Sequence, residues 1–345
     1  MARSTDRQFA RMTQHSPSPA LSVAMSVYNG ERFLAPAIQS VLDQTLGDFE
    51  FLILDDGSTD SSRAIIEEFA KRDARIKPIL RENRGLVASL NQLLGTATAP
   101  IVARMDADDI CHPERFAKQI AFLAAHPDHG VVGSWSEDID EHDRPWPTAG
   151  VDHALTNEEM QAVAARGGQL LVHPAVMYRK DIVLGVGGYH AAFRHCEDYD
   201  LWLRLASETK MANLPERLLR YRHYAEQVSK KYVTEQTVGA AIAHEAWRAR
   251  EAGKPDPTAE LETLPPVDQL DALFGEAGVA SRVRARVARG ILHSPTALRD
   301  EGFEILLQHI GDGGDREGLW RTALRLLRFG EPARALRLSA ALAAA

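Results

Sequence analysis

From position 21 the chain alternates short apolar runs with longer stretches of helical periodicity. LSVAMSV (21–27), FEFLIL (49–54), RIKPIL (75–80) and PIVARM (100–105) read as strands; the stretches 31–44, RAIIEEFAKRD (63–73) and GLVASLNQLLGTA (85–97) between them read as helices. Near-continuous apolar strands separated by helices of about 10–15 residues predict βαβ units and a mainly parallel sheet covered on both faces. Past residue 130 the pattern is less regular: VVGSWSEDI, LVHPAVMYR (171–179) and RLLRYRHY (217–224) are strand candidates, and CEDYDLWLRLAS opens a helix. From about 235 the composition turns helical and rich in Ala, Arg and Glu, broken by GKPDPT (253–258) as a linker or turn. There is no internal repeat, P-loop or GxGxxG fingerprint.

In sheets of this kind ligands sit beyond the carboxyl ends of the strands. The first strand ends in Val27-Tyr28-Asn29-Gly30, the second in Asp55-Asp56-Gly57-Ser58 and the fourth in Asp106-Ala107-Asp108-Asp109, so acidic and polar groups gather on one edge. Turn chemistry explains Gly57 to Asp60, with Thr59 or Asp60 capping the next helix. It does not explain Asp55 beside Asp56, because adjacent carboxylates repel; a carboxylate there can accept a base imide N–H or a ribose hydroxyl. In the fourth loop, Asp109 or His112 can cap a helix starting at Pro113, which leaves Asp106 and Asp108. Two apart in an extended segment, they point the same way and can share one hard cation, Mg²⁺ or Mn²⁺, which binds through one or two carboxylates plus substrate phosphates. Arg104 just upstream offers a positive group to the same site. HCEDYDLW (195–202) reads either as an acidic helix N-terminus with Leu201, Trp202 and Leu205 facing the core, or as a carboxylate pair, Glu197-Asp198, able to act as general base on a hydroxyl.

The chain has 345 residues, enough for one large domain or two modest ones, and an ordinary 45% hydrophobic and 26% charged content. A net charge of −8 argues against general nucleic-acid binding. Two cysteines, Cys111 and Cys196, suggest a reducing compartment and no disulfide framework. No apolar run approaches the roughly 20 residues of a membrane span, and the N-terminal stretch through SPSP lacks a secretory apolar region. The expectation is a cytoplasmic protein with a disordered leader over 1–19.

Taken together, VAMSVYNG, SVLDQT, FLILDDGSTDSS, ENRGLVASLN, VARMDADDICHPERF, VHPAVMYR, GGY and CEDYDLWLRLA closely resemble the family 2 inverting glycosyltransferases of the GT-A fold, over roughly residues 20–230. The resemblance implies a GT-A-like catalytic domain over 20–232, an α/β mainly parallel mixed sheet flanked by helices; the residues past it lie outside the resemblance, and their composition predicts a helical C-terminal extension over 233–345. It implies transfer of a sugar from a UDP- or dTDP-sugar to a hydroxyl of a glycan or lipid-linked acceptor in polysaccharide assembly. By the same resemblance Tyr28 and Asp56 contact the nucleobase, Ser26 and Asn29 line its pocket, and Arg84 and Gly85 approach the nucleotide phosphates. Asp106 lies near the ribose or metal, Asp108 is a metal ligand, Asp198 is the general base, and Glu197 is its acceptor-binding neighbour. Trp202 and His173 join the substrate-binding set, His173 at an acceptor site. One departure stands out: relatives carry YR-x-H-x-x-Q-x-S, whereas this chain reads Tyr221-Arg222-His223-Tyr224-Ala225-Glu226-Gln227-Val228-Ser229. Counted back from Gln227, the His position holds Tyr224, and a one-residue offset on a strand turns a side chain to the other face. A nucleotidyltransferase acting on sugar phosphates and an inactive sugar-nucleotide-binding module are the rival readings; VYNGERF lacks the Gly and basic density of the first.

The last thirty residues hold arginines at 316, 321, 325, 328, 334 and 337 against Glu317 and Glu331, a local balance of +4. Leu319, Trp320, Leu324, Leu327 and Phe329 interleave with them. The segment reads as a helical cap with its arginines solvated, or as a surface helix for peripheral contact with anionic lipid.

Overall fold

The computed structural model describes residues 19–147 and 150–344; the expected leader, but for its last residue, lies outside the described residues. Strands β1 (Leu21–Val27), β2 (Phe49–Asp56), β3 (Ile76–Arg81), β4 (Ile101–Met105), β5 (Ile110–Cys111), β6 (His129–Asp140), β7 (Met177–Arg179) and β8 (Lys210–His223) form one sheet in the order β3-β2-β1-β4-β7-β6-β8-β5. Pairs among β3, β2, β1 and β4 are parallel; β7 runs antiparallel to β4 and β6, and β8 is parallel to β6 and antiparallel to β5. Pro78, which donates no ladder hydrogen bond, is tolerated because β3 is an edge strand.

Side chains alternate across the strands and feed two cores. Val23, Met25, Phe51, Ile53, Ala103 and Met105 pack on one face. Ala24, Leu52, Leu54 and Val102 pack on the other, in the same cluster as Ile242, Val283, Val287, Phe303, Leu306, Leu326 and Leu338 from the C-terminal helices. Those helices therefore complete the covering of one sheet face. The strand read over 171–179 shortens to Met177–Arg179, because His173–Ala175 forms a 3₁₀ turn around Pro174, whose fixed φ and missing N–H favour such a turn. Strand β8 instead begins seven residues before the expected 217, drawn out by its long pairing with β6.

The helix Arg115–Ala125 carries a polar pair on its buried side. Arg115, fully buried, donates from Nη2 to the carbonyls of Arg104 (2.9 Å) and Val176 (3.0 Å), and from Nε to Gln119 Oε1 (3.0 Å). Burial holds its guanidinium below the ordinary arginine range. This brace fixes the end of β4, from which the acidic loop departs. Replacing Arg115 by Met strips two buried carbonyls of a donor, and a chemical-denaturation midpoint should report a loss of about 2–3 kcal/mol; unchanged stability would remove the brace from the account.

Candidate active site

The loops after β1 and β2 lock each other. Asn29, in left-handed backbone at φ 51°, accepts from the Thr59 N–H at 2.8 Å, and its own N–H donates to Ser58 Oγ at 2.9 Å. Asp60 accepts from the first N–H of two helices, Ser62 (2.9 Å) and Glu31 (3.0 Å), as the capping expectation requires of it. Gly57 is obligatory: it sits at φ 78°, and a Cβ there would lie 2.6 Å from the Asn83 nitrogen.

Each half of the Asp55-Asp56 pair has its own compensation. Asp55 Oδ1 accepts from the Ser58 N–H at 3.1 Å, with Arg63 Nε 3.4 Å from Oδ2. Asp56, 2% exposed, accepts from Arg81 Nε (2.9 Å), the Arg84 N–H (3.0 Å) and the Gly85 N–H (2.8 Å). Both its oxygens hold the loop that follows β3, so a base-binding role for Asp56 has to share the carboxylate with that loop. Arg81, which the pattern of the chain did not single out, is the residue that neutralises it and also ties Gln92 and Ser89. Tyr28 stands out at the rim, 57% exposed; Arg84 is exposed too, and Ser26 is half-buried.

Beyond β4, one ligand atom from each of Asp106, Asp108 and Asp109 lies within 4.8 Å of the others. Asp109 departs from the helix-entry role: strand β5 separates it from the helix, whose entry is met instead by His112 Nδ1 accepting the Glu114 N–H at 3.3 Å. It is 1% exposed and accepts the Arg222 N–H at 2.9 Å, joining the acidic loop to β8. Arg222 Nε also donates to the Asp108 carbonyl at 2.7 Å. Tyr224 reaches into the cluster and donates its hydroxyl to Asp108 Oδ2 at 2.8 Å, while His223 turns away to Asp138 (3.3 Å) and packs at a tilt against the Trp146 ring. Burial, then the charge of Asp106, raises the Asp108 carboxyl to about 6, and burial and its neighbours raise Asp109 well above the usual range. Three carboxylates gathered this closely offer the oxygen donors that a hard divalent cation takes.

Arg104 joins this cluster to the far end of the chain. It is 2% exposed, pairs with the Asp106 carboxylate, and keeps its charge against burial through Asp106, Tyr189 and Glu197. Glu197 and Asp198 open the helix Glu197–Leu205, where an N-terminus tolerates negative charge. Burial, then Asp198, raises Glu197 to about 8, and its Oε2 has no hydrogen-bond partner among the described residues. Burial raises Asp198 to about 6; its Oδ1 accepts the Tyr199 N–H at 2.7 Å. His173 is held neutral by burial and by Arg104, with Nε2 3.0 Å from the Tyr189 hydroxyl. Trp202 is 1% exposed and packs edge-on against His173, ring centroids 5.9 Å apart, with its other neighbours in the core. Cys111 and Cys196 are buried free thiols.

Comparison with known proteins adds an independent line. The family model for Glycosyl transferase family 2 matches residues 22–186. The amylovoran biosynthesis glycosyltransferase AmsE of Erwinia amylovora is 36% identical over 217 residues, 61% of this chain and 79% of that one. Among solved structures, S. aureus TarS superposes with a TM-score of 0.55 at 17% identity, covering 92% of this chain, which spans about half (53%) of that longer protein. The mannosyltransferase PcManGT of Pyrobaculum calidifontis, solved with GDP-Man and Mn²⁺, gives 0.53 at 14% identity over 94% of this chain and 87% of its own. These two likenesses establish the fold, a GT-A-like mixed sheet flanked by helices with a helical C-terminal region. With the family match and the extent of the AmsE likeness, the chain belongs to glycosyl transferase family 2 and is a glycosyltransferase.

Proposed function

We propose that this enzyme moves one sugar, with inversion, from a UDP- or dTDP-sugar to a hydroxyl of a glycan or lipid-linked saccharide during assembly of a surface polysaccharide. The observation that supports it best is the meeting of two acidic groups distant in sequence, Asp106-Asp108 and Glu197-Asp198, around the buried guanidinium of Arg104. A bond-breaking centre needs that proximity: one group beside the departing diphosphate, the other beside the incoming hydroxyl. The likeness to AmsE, a glycosyltransferase of amylovoran biosynthesis, supports the polysaccharide setting.

In this reading Tyr28, with Ser26 and Asn29, meets the nucleobase; Arg84 and the Gly85 main chain lie toward the phosphates; Asp106 and Asp108 hold Mg²⁺ or Mn²⁺. The cation, when bound, supplies Lewis-acid stabilisation of the leaving diphosphate. Asp198 takes the acceptor proton on the carboxylate oxygen not engaged by Tyr199. Glu197 and neutral His173 orient the acceptor, and Arg104 balances the charge of both acid pairs. Residues 20–232 form the catalytic unit and 233–345 its helical extension. No helix among the described residues is long and apolar enough to cross a membrane; a cytoplasmic site of action is part of the proposal.

A thermal-shift panel of UDP-, dTDP- and GDP-sugars with Mn²⁺ tests the donor half, since stabilisation grows with ligand concentration over Kd. UDP- or dTDP-sugars should stabilise the protein most, and Asp108→Ala should remove the Mn²⁺-dependent part. Tyr224→Phe deletes the hydroxyl that orients Asp108 and should weaken Mn²⁺-dependent donor binding roughly tenfold. Affinity equal to wild type would reduce Tyr224 to packing against Phe33, whose ring lies 5.1 Å away.

A further inference from the structure

The helix Leu319–Arg328 turns the wrong side outward for a simple cap. It buries Leu319, Thr322, Ala323 and Leu326, yet Trp320, Leu324 and Leu327 are 54%, 62% and 53% exposed. At 100° per residue these three form one stripe, and Arg321 and Arg328, both exposed, flank it along a single edge. Neither arginine has a partner among the described residues, and the helix carries no acidic residue. On the adjoining helix Pro332–Ala344, Leu336 is 73% exposed. Three large apolar groups in a row, with unpaired cations beside them, are not the surface of a solvated cap.

We propose that this face is a membrane-docking surface that seats on anionic lipid, with Trp320, Leu324 and Leu327 entering the boundary between head groups and acyl chains and Arg321 and Arg328 meeting lipid phosphates. The charge selects the occupant. A second copy of this face brings arginine toward arginine with no acid to pair them, and one ten-residue helix is far short of the roughly 800 Å² per partner of a stable interface. A lipid surface has no such lower limit: it takes apolar side chains one by one, Trp favours its interface, and each cation near it adds attraction. The proposal is independent of the donor and acceptor assigned above.

Cosedimentation of the full chain with sucrose-loaded vesicles tests it, using phosphatidylcholine alone and phosphatidylcholine mixed equally with phosphatidylglycerol. Wild type should pellet with the mixed vesicles, less so as salt rises, and stay in solution with phosphatidylcholine. Arg321→Gln with Arg328→Gln should lower partitioning roughly thirtyfold; Trp320→Ala with Leu324→Ala and Leu327→Ala should abolish it. Both variants should keep the wild-type Tm, since the changed side chains are exposed. Wild type left in the supernatant, or both variants pelleting like wild type, overturns the proposal. So does a vesicle-free dimer in sedimentation velocity that the triple variant dissolves, which would assign the stripe to self-association.

Discussion

Asp198→Asn should lower transfer by about 10²–10⁴-fold, the usual contribution of a positioned general base, while donor affinity stays at the wild-type level. The carboxamide has the carboxylate's size, and its oxygen can still accept the Tyr199 N–H. What it lacks is a site for the acceptor proton. Because burial raises Asp198 to about 6, the wild-type rate should climb as pH rises through that region and the base loses its own proton; the Asn variant should lack this limb. Turnover at several pH values, beside a fluorescence titration with donor, separates the two effects. Wild-type turnover in the Asn variant would remove Asp198 from the mechanism.

Arg104→Met should cost about 3–5 kcal/mol, the range for removing one partner of a buried ion pair. The loss should also depend on pH. Glu197 and Asp198 have native values raised above those of the unfolded chain, so the native state binds more protons and wild-type stability falls as pH rises from about 4 toward 8. Arg104 moderates that fall by favouring their charged forms. Without it both carboxyls move higher still, and the slope of stability against pH should steepen. Urea denaturation of both proteins at pH 5 and pH 8 measures the difference at the ends of the window. A gap between the proteins that is equal at the two pH values would contradict Arg104 as the common counter-charge.

The amino-acid pattern carried most of the first half of the fold, because β1 to β4 are short apolar runs and the ends of β1, β2 and β4 are marked by Asn-Gly, Asp-Gly or Asp-rich turns. It also located the acidic edge, since strand carboxyl ends in such a sheet converge. What it left out depends on contacts between distant residues. Asp109 looked like a local cap, and only the arrival of β8, with Arg222, makes it a tie between strands. Asp56 read as a base contact, and that Arg81 and two main-chain N–H groups also bond to it was not legible. Trp202 fits the helix's core stripe, and the core is where it lies. Arg115 and Gln119 left a trace that pattern reading can recover: a polar pair four residues apart on an otherwise apolar helix face. The Tyr224 offset was legible as an anomaly, but its contact with Asp108 was not. In the C-terminal helices the periodicity predicted amphipathic segments without saying which stripe would meet the core, and the stripe bearing Trp320 is the one left outside.

In the proposed mechanism the acids grouped around Arg104 break a sugar–diphosphate bond and activate an incoming hydroxyl from the opposite side. Its most direct test needs no acceptor. Incubated with the α-linked UDP- or dTDP-sugar that stabilises it most, with Mn²⁺ present, the enzyme should slowly pass the sugar to water. Time-resolved NMR should then show nucleoside diphosphate and, first, the β-anomer of the free sugar, with both signals missing in Asp198→Asn. Release of pyrophosphate, or first appearance of the α-anomer, would contradict it.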